Sequence, residues 1–189
     1  MIFPGITGII LAGGESRRMG SLKPLVVYNG KPLINWIFEA LNPICSQVII
    51  IANIGDFSEL PALVFPDNYP GNGPAGGIEA GLSHCQTAHA LFSSCDTPNL
   101  STGFFNHLVK NHHDFEISIT AHDGTNEPLI GVYSRLVHPA FKNAILSGDP
   151  HPPRIIRKFR WQEIPVYPDH DFYRPDLFLN LNTPFDLNY

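Results

Sequence analysis

The 189-residue chain is poor in charge: Asp, Glu, Lys and Arg make up 15% of it, and the formal net charge is −5. With only 12 Lys and Arg, the acidic balance argues against a broad nucleic-acid face, which requires many phosphate-neutralising cations. Three cysteines (Cys45, Cys85 and Cys95) form no CxxC pair and no metal-ligand spacing, so buried reduced thiols in a cytoplasmic protein are expected. No apolar run is long enough for a membrane span. The first one is broken at once by Gly13-Gly14-Glu15, so neither a signal peptide nor a transmembrane segment is expected. The nine histidines include His112-His113-Asp114 and Asp169-His170-Asp171, in polar stretches expected to be exposed. None completes a ligand set, and no zinc site is expected. The opening glycine loop is neither a G-x-G-x-x-G nor a P-loop, and no G-x-S-x-G elbow occurs in the sequence. There is no repeat, linker or low-complexity tract.

Apolar residues account for 43% of the chain, enough for one compact domain over residues 1–189 that buries roughly 70% of the unfolded surface. Strand-length apolar runs alternate with amphipathic segments of helix length. Strands are expected in "ITGIILA", "QVIIIAN", "ALVFPD" and "HALFSSCD"; helices are expected in "KPLINWIFEALNPI", "GPAGGIEAGLSHC" and "STGFFNHLVKNHH". Ile and Val runs without alternation mark strands covered on both faces, and this order argues an open, mostly parallel α/β sheet. "FEISITAHDG" and "EPLIGVYS" read as an antiparallel pair. A helix near "HPAFKNAILSG", a basic segment "RIIRKFR" and a strand in "WQEIPV" follow.

In such sheets ligands bind beyond the carboxyl ends of the strands. The first strand ends in Gly13-Gly14, the second in Asn53, the third in Asp67 and the fourth in Asp96. Three of the basic residues, Arg17, Arg18 and Lys23, directly follow the glycines. Glycines allow close backbone approach to an anion, and Arg18 and Lys23 would supply full charges to phosphate. A solvated strand–helix connection is the plainer alternative. Asp96 is placed to hold Mg²⁺ against a phosphate, since magnesium takes one or two carboxylates plus substrate oxygens and water; it could equally cap the helix that starts near Leu100. Asp67 reads as a turn residue or a ligand contact, and Asn53 as a cap or a reader of a nucleobase edge. The glycines of "GNGPAGGIEAG" mark close approach of a ligand or of the sheet. Arg154, Arg157 and Lys158 share helical spacing, either as a solvated face or as a dock for a phosphorylated second substrate.

With these residues in place, a family resemblance emerges. "LAGGESRRMGSLKPL" followed by "NGKPL", "IAN", "FPD", "GPAGGI", "CDTP", "EPLIGVYS" and "NLNTPFDL" resembles, from about residue 6 to 187, the molybdenum cofactor guanylyltransferases. The opening motif is shared with cytidylyl- and sugar nucleotidyltransferases; its combination with "GPAGGI" and "NLNTP" is more specific. The resemblance implies a Rossmann-like three-layer α/β/α fold, its mostly parallel mixed sheet carrying helices on both faces. It also implies Mg²⁺, GTP and a molybdopterin-type cofactor as second substrate, with cofactor-supplying and cofactor-accepting proteins as partners. By that resemblance Leu11, Ala12 and Gly13 contact the nucleotide through their backbone, and Lys23 and Arg18 neutralise its phosphates. Asn53 and Asp67 meet the guanosine, Asp96 holds the metal, and Asn180 and Asn182 lie on the pterin side; the spacing of the basic segment, not the resemblance, adds Arg154 as a candidate for that substrate. Two departures stand out. Leu22 replaces the usual Asp before the loop lysine. Ala75-Gly76 replaces Leu-Ala, which would widen the site and loosen guanine selectivity. A CTP-dependent or sugar-phosphate transferase, or a non-catalytic carrier, is the alternative.

Overall fold

The structure is a computed structural model and describes residues 3–13 and 22–181. Arg18 and Asn182 lie outside the described residues. Nine strands and five α-helices alternate along the described chain: β1 (Phe3–Leu11), β2 (Val27–Tyr28), β3 (Lys31–Pro32), α1 (Leu33–Leu41), β4 (Cys45–Ile51), β5 (Leu63–Phe65), α2 (Gly73–His84), β6 (His89–Ser94), α3 (Thr102–Asn111), β7 (Ile117–His122), β8 (Thr125–Ser134), α4 (His138–Leu146), α5 (Pro152–Ile156) and β9 (Trp161–Pro165).

Seven strands form one sheet in the order β5-β4-β1-β6-β8-β7-β9. Strand β8 alone runs antiparallel, between β6 and β7. The sheet is therefore mixed and mostly parallel, as the sequence pattern implies. Each central strand is apolar on both faces. Ile6 and Ile10 of β1, Val48 and Ile50 of β4, and Leu91 of β6 pack with α1 and α3. Ile9, Leu11, Ile49, Ile51, Ala90 and Phe92 pack with α2, α4 and α5. This double burial is what removes the polar alternation from these strands.

The glycines of α2 have a packing reason. A Cβ at Gly81 would lie 2.7 Å from Phe92 and 2.8 Å from Ile9, and one at Gly77 would lie 3.1 Å from Leu11. The helix thus lies directly on β1 and β6. Ala75 is fully buried in that core. The small residue there is a packing residue of the sheet face, which corrects the expectation that it widens an open site.

Three further differences from the sequence pattern have physical causes. Residues 27–32 form a small hairpin, β2–β3, whose turn places Asn29 at φ 48° and Gly30 at φ 86°. Asn-Gly is the pair a type I′ turn prefers. The basic segment does not continue as an amphipathic helix: α5 ends at Ile156, and tight turns Lys158 N→Ile155 O and Phe159 N→Ile156 O redirect the chain into β9. His112, expected to be exposed, is 5% exposed. Its Nδ1 lies 2.8 Å from Ser118 Oγ, and its ring meets His89 edge-on at 4.8 Å. Cys45, Cys85 and Cys95 are buried and unbridged, and burial pushes the thiols of Cys45 and Cys95 up to about 12.

Candidate active site

The chain direction in the sheet reverses its spread at β1, between β4 and β6, which makes the crevice beyond the carboxyl ends of β1 and β6 the topological switch point. The strand ends there are tied together: Ala12 N donates to Ile51 O (2.9 Å), Ala52 N to Phe65 O (2.9 Å) and Cys95 N to Leu11 O (3.2 Å). A row of backbone bonds thus fixes the places of Gly13, Asn53, Asp67 and Asp96. The Leu11 carbonyl and the Ala12 N–H are engaged in this row, whereas Gly13 is exposed at its edge.

On the β4–β5 side, Asn53 and Asp67 hold each other through two bonds. Asn53 Nδ2 donates to Asp67 Oδ2 (3.0 Å), and Asp67 N donates to Asn53 Oδ1 (2.9 Å). A Cβ at Gly13 would sit 3.9 Å from Asp67 Oδ2. Neither residue acts as a helix cap; the pair forms a polar ledge next to the glycine.

On the β6 side, Lys23 Nζ donates to Asp96 Oδ2 at 2.8 Å, and the two side chains are 17% and 19% exposed. Lys23 is brought there by a single 3-10 turn, Lys23–Leu25, with the buried Pro24 behind it. Ser94 Oγ donates to Asp96 Oδ1. Ser101 caps α3, its side chain accepting from Phe104 N (3.3 Å), so Asp96 is not spent as the cap. The chain after β9 crosses this rim. Val166 N bonds Ala121 O (2.9 Å), Asn99 Nδ2 bonds Asp176 O (2.8 Å), and Leu181 N bonds Asp96 O (2.9 Å). Asn180, the neighbour of Leu181, is therefore exposed beside Asp96.

Arg154 is elsewhere. Its guanidinium is paired with Asp149 at 2.9 Å, both largely exposed, and α5 packs beneath it into the α2–α4 face. Among the described residues no hydrogen bond or ion pair joins it to the rim. Leu22 approaches the turn after β4: a Cβ at Gly55 would lie 3.6 Å from its Cδ1. Two contributors escaped the sequence reading. Ser94, which orients Asp96, was visible in "SSCD" only as a strand residue. Glu79, inside the glycine-rich helix, is 2% exposed and carries two side-chain bonds, to His138 and Asn68.

A lysine–carboxylate pair at the switch point, with the polar ledge and the chain after β9 beside it, is an arrangement of the kind that α/β folds offer to a phosphorylated ligand. The chain belongs to the family of MobA-like NTP transferase domains, whose family model matches residues 8–164. It is 34% identical to the molybdenum cofactor guanylyltransferase of Vibrio vulnificus, covering 99% of this chain and 96% of that one. The enzyme of the same description from Pseudomonas fluorescens is 33% identical, with 96% and 91% covered. Among solved structures, molybdopterin-guanine dinucleotide biosynthesis protein A of Archaeoglobus fulgidus superposes with a TM-score of 0.80 at 27% identity, covering 96% of this chain and 94% of that one. The 2-C-methyl-D-erythritol 4-phosphate cytidylyltransferase of Thermus thermophilus shares the fold with a TM-score of 0.70 at 12% identity. The protein is a nucleotidyltransferase. No described helix is long and apolar enough to cross a membrane.

Proposed function

We propose that the protein transfers GMP from GTP to the terminal phosphate of a molybdopterin-type cofactor, giving the guanine dinucleotide form and pyrophosphate. A terminal phosphate oxygen attacks the α-phosphorus in line. The new P–O–P bond forms as the bond to the β-phosphate breaks, and the electron pair leaves with pyrophosphate. Such chemistry asks the protein for alignment and charge neutralisation rather than a covalent intermediate. The observation that carries the reading is the meeting of Lys23 and Asp96 at the β1–β6 crevice. Lys23 neutralises phosphate charge, and Arg18 is assigned the same task. Asp67 and Asn53 receive the guanosine part beside Gly13, with Leu11 and Ala12 fixing the floor. Asn180 is assigned to the pterin end, and Asn182 is given the same role by the family resemblance.

The donor set at Asp96 fits a magnesium ion. Among the described residues no group of three or more His, Cys, Asp or Glu is built for a metal. A single carboxylate is what Mg²⁺ uses when substrate phosphates and water supply the remaining ligands. Asp96 would hold the ion, which when bound polarises the α-phosphate and neutralises the departing charge.

The test is pyrophosphate release by the pure protein with Mg²⁺ and molybdopterin cofactor, using GTP, CTP and ATP in parallel. Release confined to GTP and dependent on the pterin is the expected result. Release with CTP would place the protein in a cytidylyl branch. Bound GTP without release would leave it a carrier.

A further inference from the structure

Glu79 is an acid at the centre of an otherwise apolar helix surface, flanked by the fully buried Ile78 and Ala80. A carboxylate is not left in such a place without partners, because its desolvation must be offset by hydrogen bonds. Both oxygens are occupied. His138 Nε2, at the start of α4, lies 2.8 Å from Oε1, and Asn68 Nδ2 donates to Oε2 at 3.0 Å. Asn68 Nδ2 also reaches Ser83 Oγ at 2.9 Å. Asn68 is the chain neighbour of Asp67, whose backbone and carboxylate form the ledge with Asn53 next to Gly13. One buried acid therefore links α4, α2 and the loop that carries the ledge.

The loop needs such an anchor. Strand β5 supplies only three residues, Leu63–Phe65, at the edge of the sheet, and its pairing with β4 stops at Phe65. Beyond it, among the described residues, Asp67 is held from the sheet side by Asn53, which is itself exposed. Asn68 supplies the second attachment, on the helix side, and Glu79 gives that attachment a fixed base.

We infer that Glu79, acting through Asn68, is a positioning residue for the nucleotide: it sets the place of Asp67 and thereby the binding of the nucleoside part of GTP. The inference rests on the reading of Asp67 as a guanosine contact. Neither Glu79 nor Asn68 is assigned to touch the substrate.

The test is steady-state kinetics of Asn68→Ala, Glu79→Gln, Asp67→Ala and the double variant Asp67→Ala/Asn68→Ala, with GTP and the pterin substrate varied separately. Asn68→Ala cuts the link at an exposed residue and leaves the Glu79–His138 bond in place, so folding is not at stake. It is expected to raise the KM for GTP about fivefold, the ratio equivalent to one neutral hydrogen bond, with kcat and the pterin KM within about twofold. Glu79→Gln keeps the shape and a hydrogen-bonding oxygen, and is expected to lie between Asn68→Ala and wild type. If Asn68 acts through Asp67, the double variant matches Asp67→Ala rather than the product of the two single effects. Wild-type GTP affinity in Asn68→Ala, with Asp67→Ala impaired, overturns the inference and leaves the guanosine reading intact. Multiplicative effects in the double variant overturn it as well. Wild-type behaviour in Asp67→Ala removes the guanosine reading, and the inference with it.

Discussion

The two ends of the central sheet use polar residues in opposite ways. At the amino end, His89, His112, Ser118 and Gln162 turn inward: Gln162 Nε2 donates to Ser118 Oγ at 3.0 Å, and Ser118 in turn meets His112. At the carboxyl end, Asn53, Asp67, Asp96 and Lys23 are hydrogen-bonded to one another in pairs yet stay half-buried or exposed. In the amino-end network His112 and Ser118 are buried and His89 and Gln162 half-buried, and its bonds run between elements of the core, so its contribution is to stability. The carboxyl-end groups are oriented by the backbone ladder yet remain reachable, which is what binding and charge neutralisation require. Polarity alone thus does not mark a site; what marks it is polarity that the fold orients without enclosing.

That contrast is broken most severely by Asp96→Ala. Turnover is expected to fall about 10²-fold or more, the scale of one lost preorganised electrostatic contact, while thermal stability changes little. Activity within threefold of wild type would take Asp96 out of the mechanism. The amino end should show the reverse behaviour. Burial lowers the pKa of His112 from 6.5 to about 4, with neighbouring His89 and His113 adding to the shift. Because the folded state favours the neutral ring, this stability is complete above about pH 6.5. It is lost as pH falls toward 4, amounting to about 2 kcal/mol between pH 7.5 and pH 5. Denaturant melts of wild type and His112→Gln at the two pH values check it: the variant should lose that part of the pH dependence and keep its KM for GTP. Asp67→Ala is smaller again. The KM for GTP is expected to rise about tenfold with kcat nearly unchanged, the pattern of a binding contact rather than a transition-state one. An equal loss in kcat would merge the two sides of the rim into one function.

Much of this was readable in the sequence because burial on both faces leaves an unmistakable pattern. The runs that became β1, β4 and β6 have no polar alternation, and each ends at the residue that faces the crevice. The roles of Asp96 and Asn53 were not readable, because a carboxylate after a strand suits a cap, a turn or a ligand equally well. Only the capping of α3 by Ser101 frees Asp96 for Lys23. Glu79 was hidden for another reason: its partners His138 and Asn68 lie on other elements, 59 and 11 residues away. His112 was misplaced because a run of His-His-Asp looks solvated until α3 carries its first member under the sheet. The Asn-Gly turn, by contrast, carried its signal in plain form and was read only as part of a motif.

The smallest effect is expected at Arg154, and it decides how far the site extends. Helical spacing grouped Arg154 with Arg157 and Lys158 as one basic face, but α5 stops at Ile156 and that face is not built. Arg154 instead pairs with Asp149, with side chains 67% and 55% exposed. An exposed pair of this kind contributes between zero and about 1 kcal/mol and orients nothing beyond itself. Arg154→Ala should therefore leave the pterin KM within about twofold and the GTP KM unchanged. A fivefold rise confined to the pterin substrate would mean that the acceptor reaches across the rim to α5. The strap at Asn180 would then be one edge of its site rather than its centre.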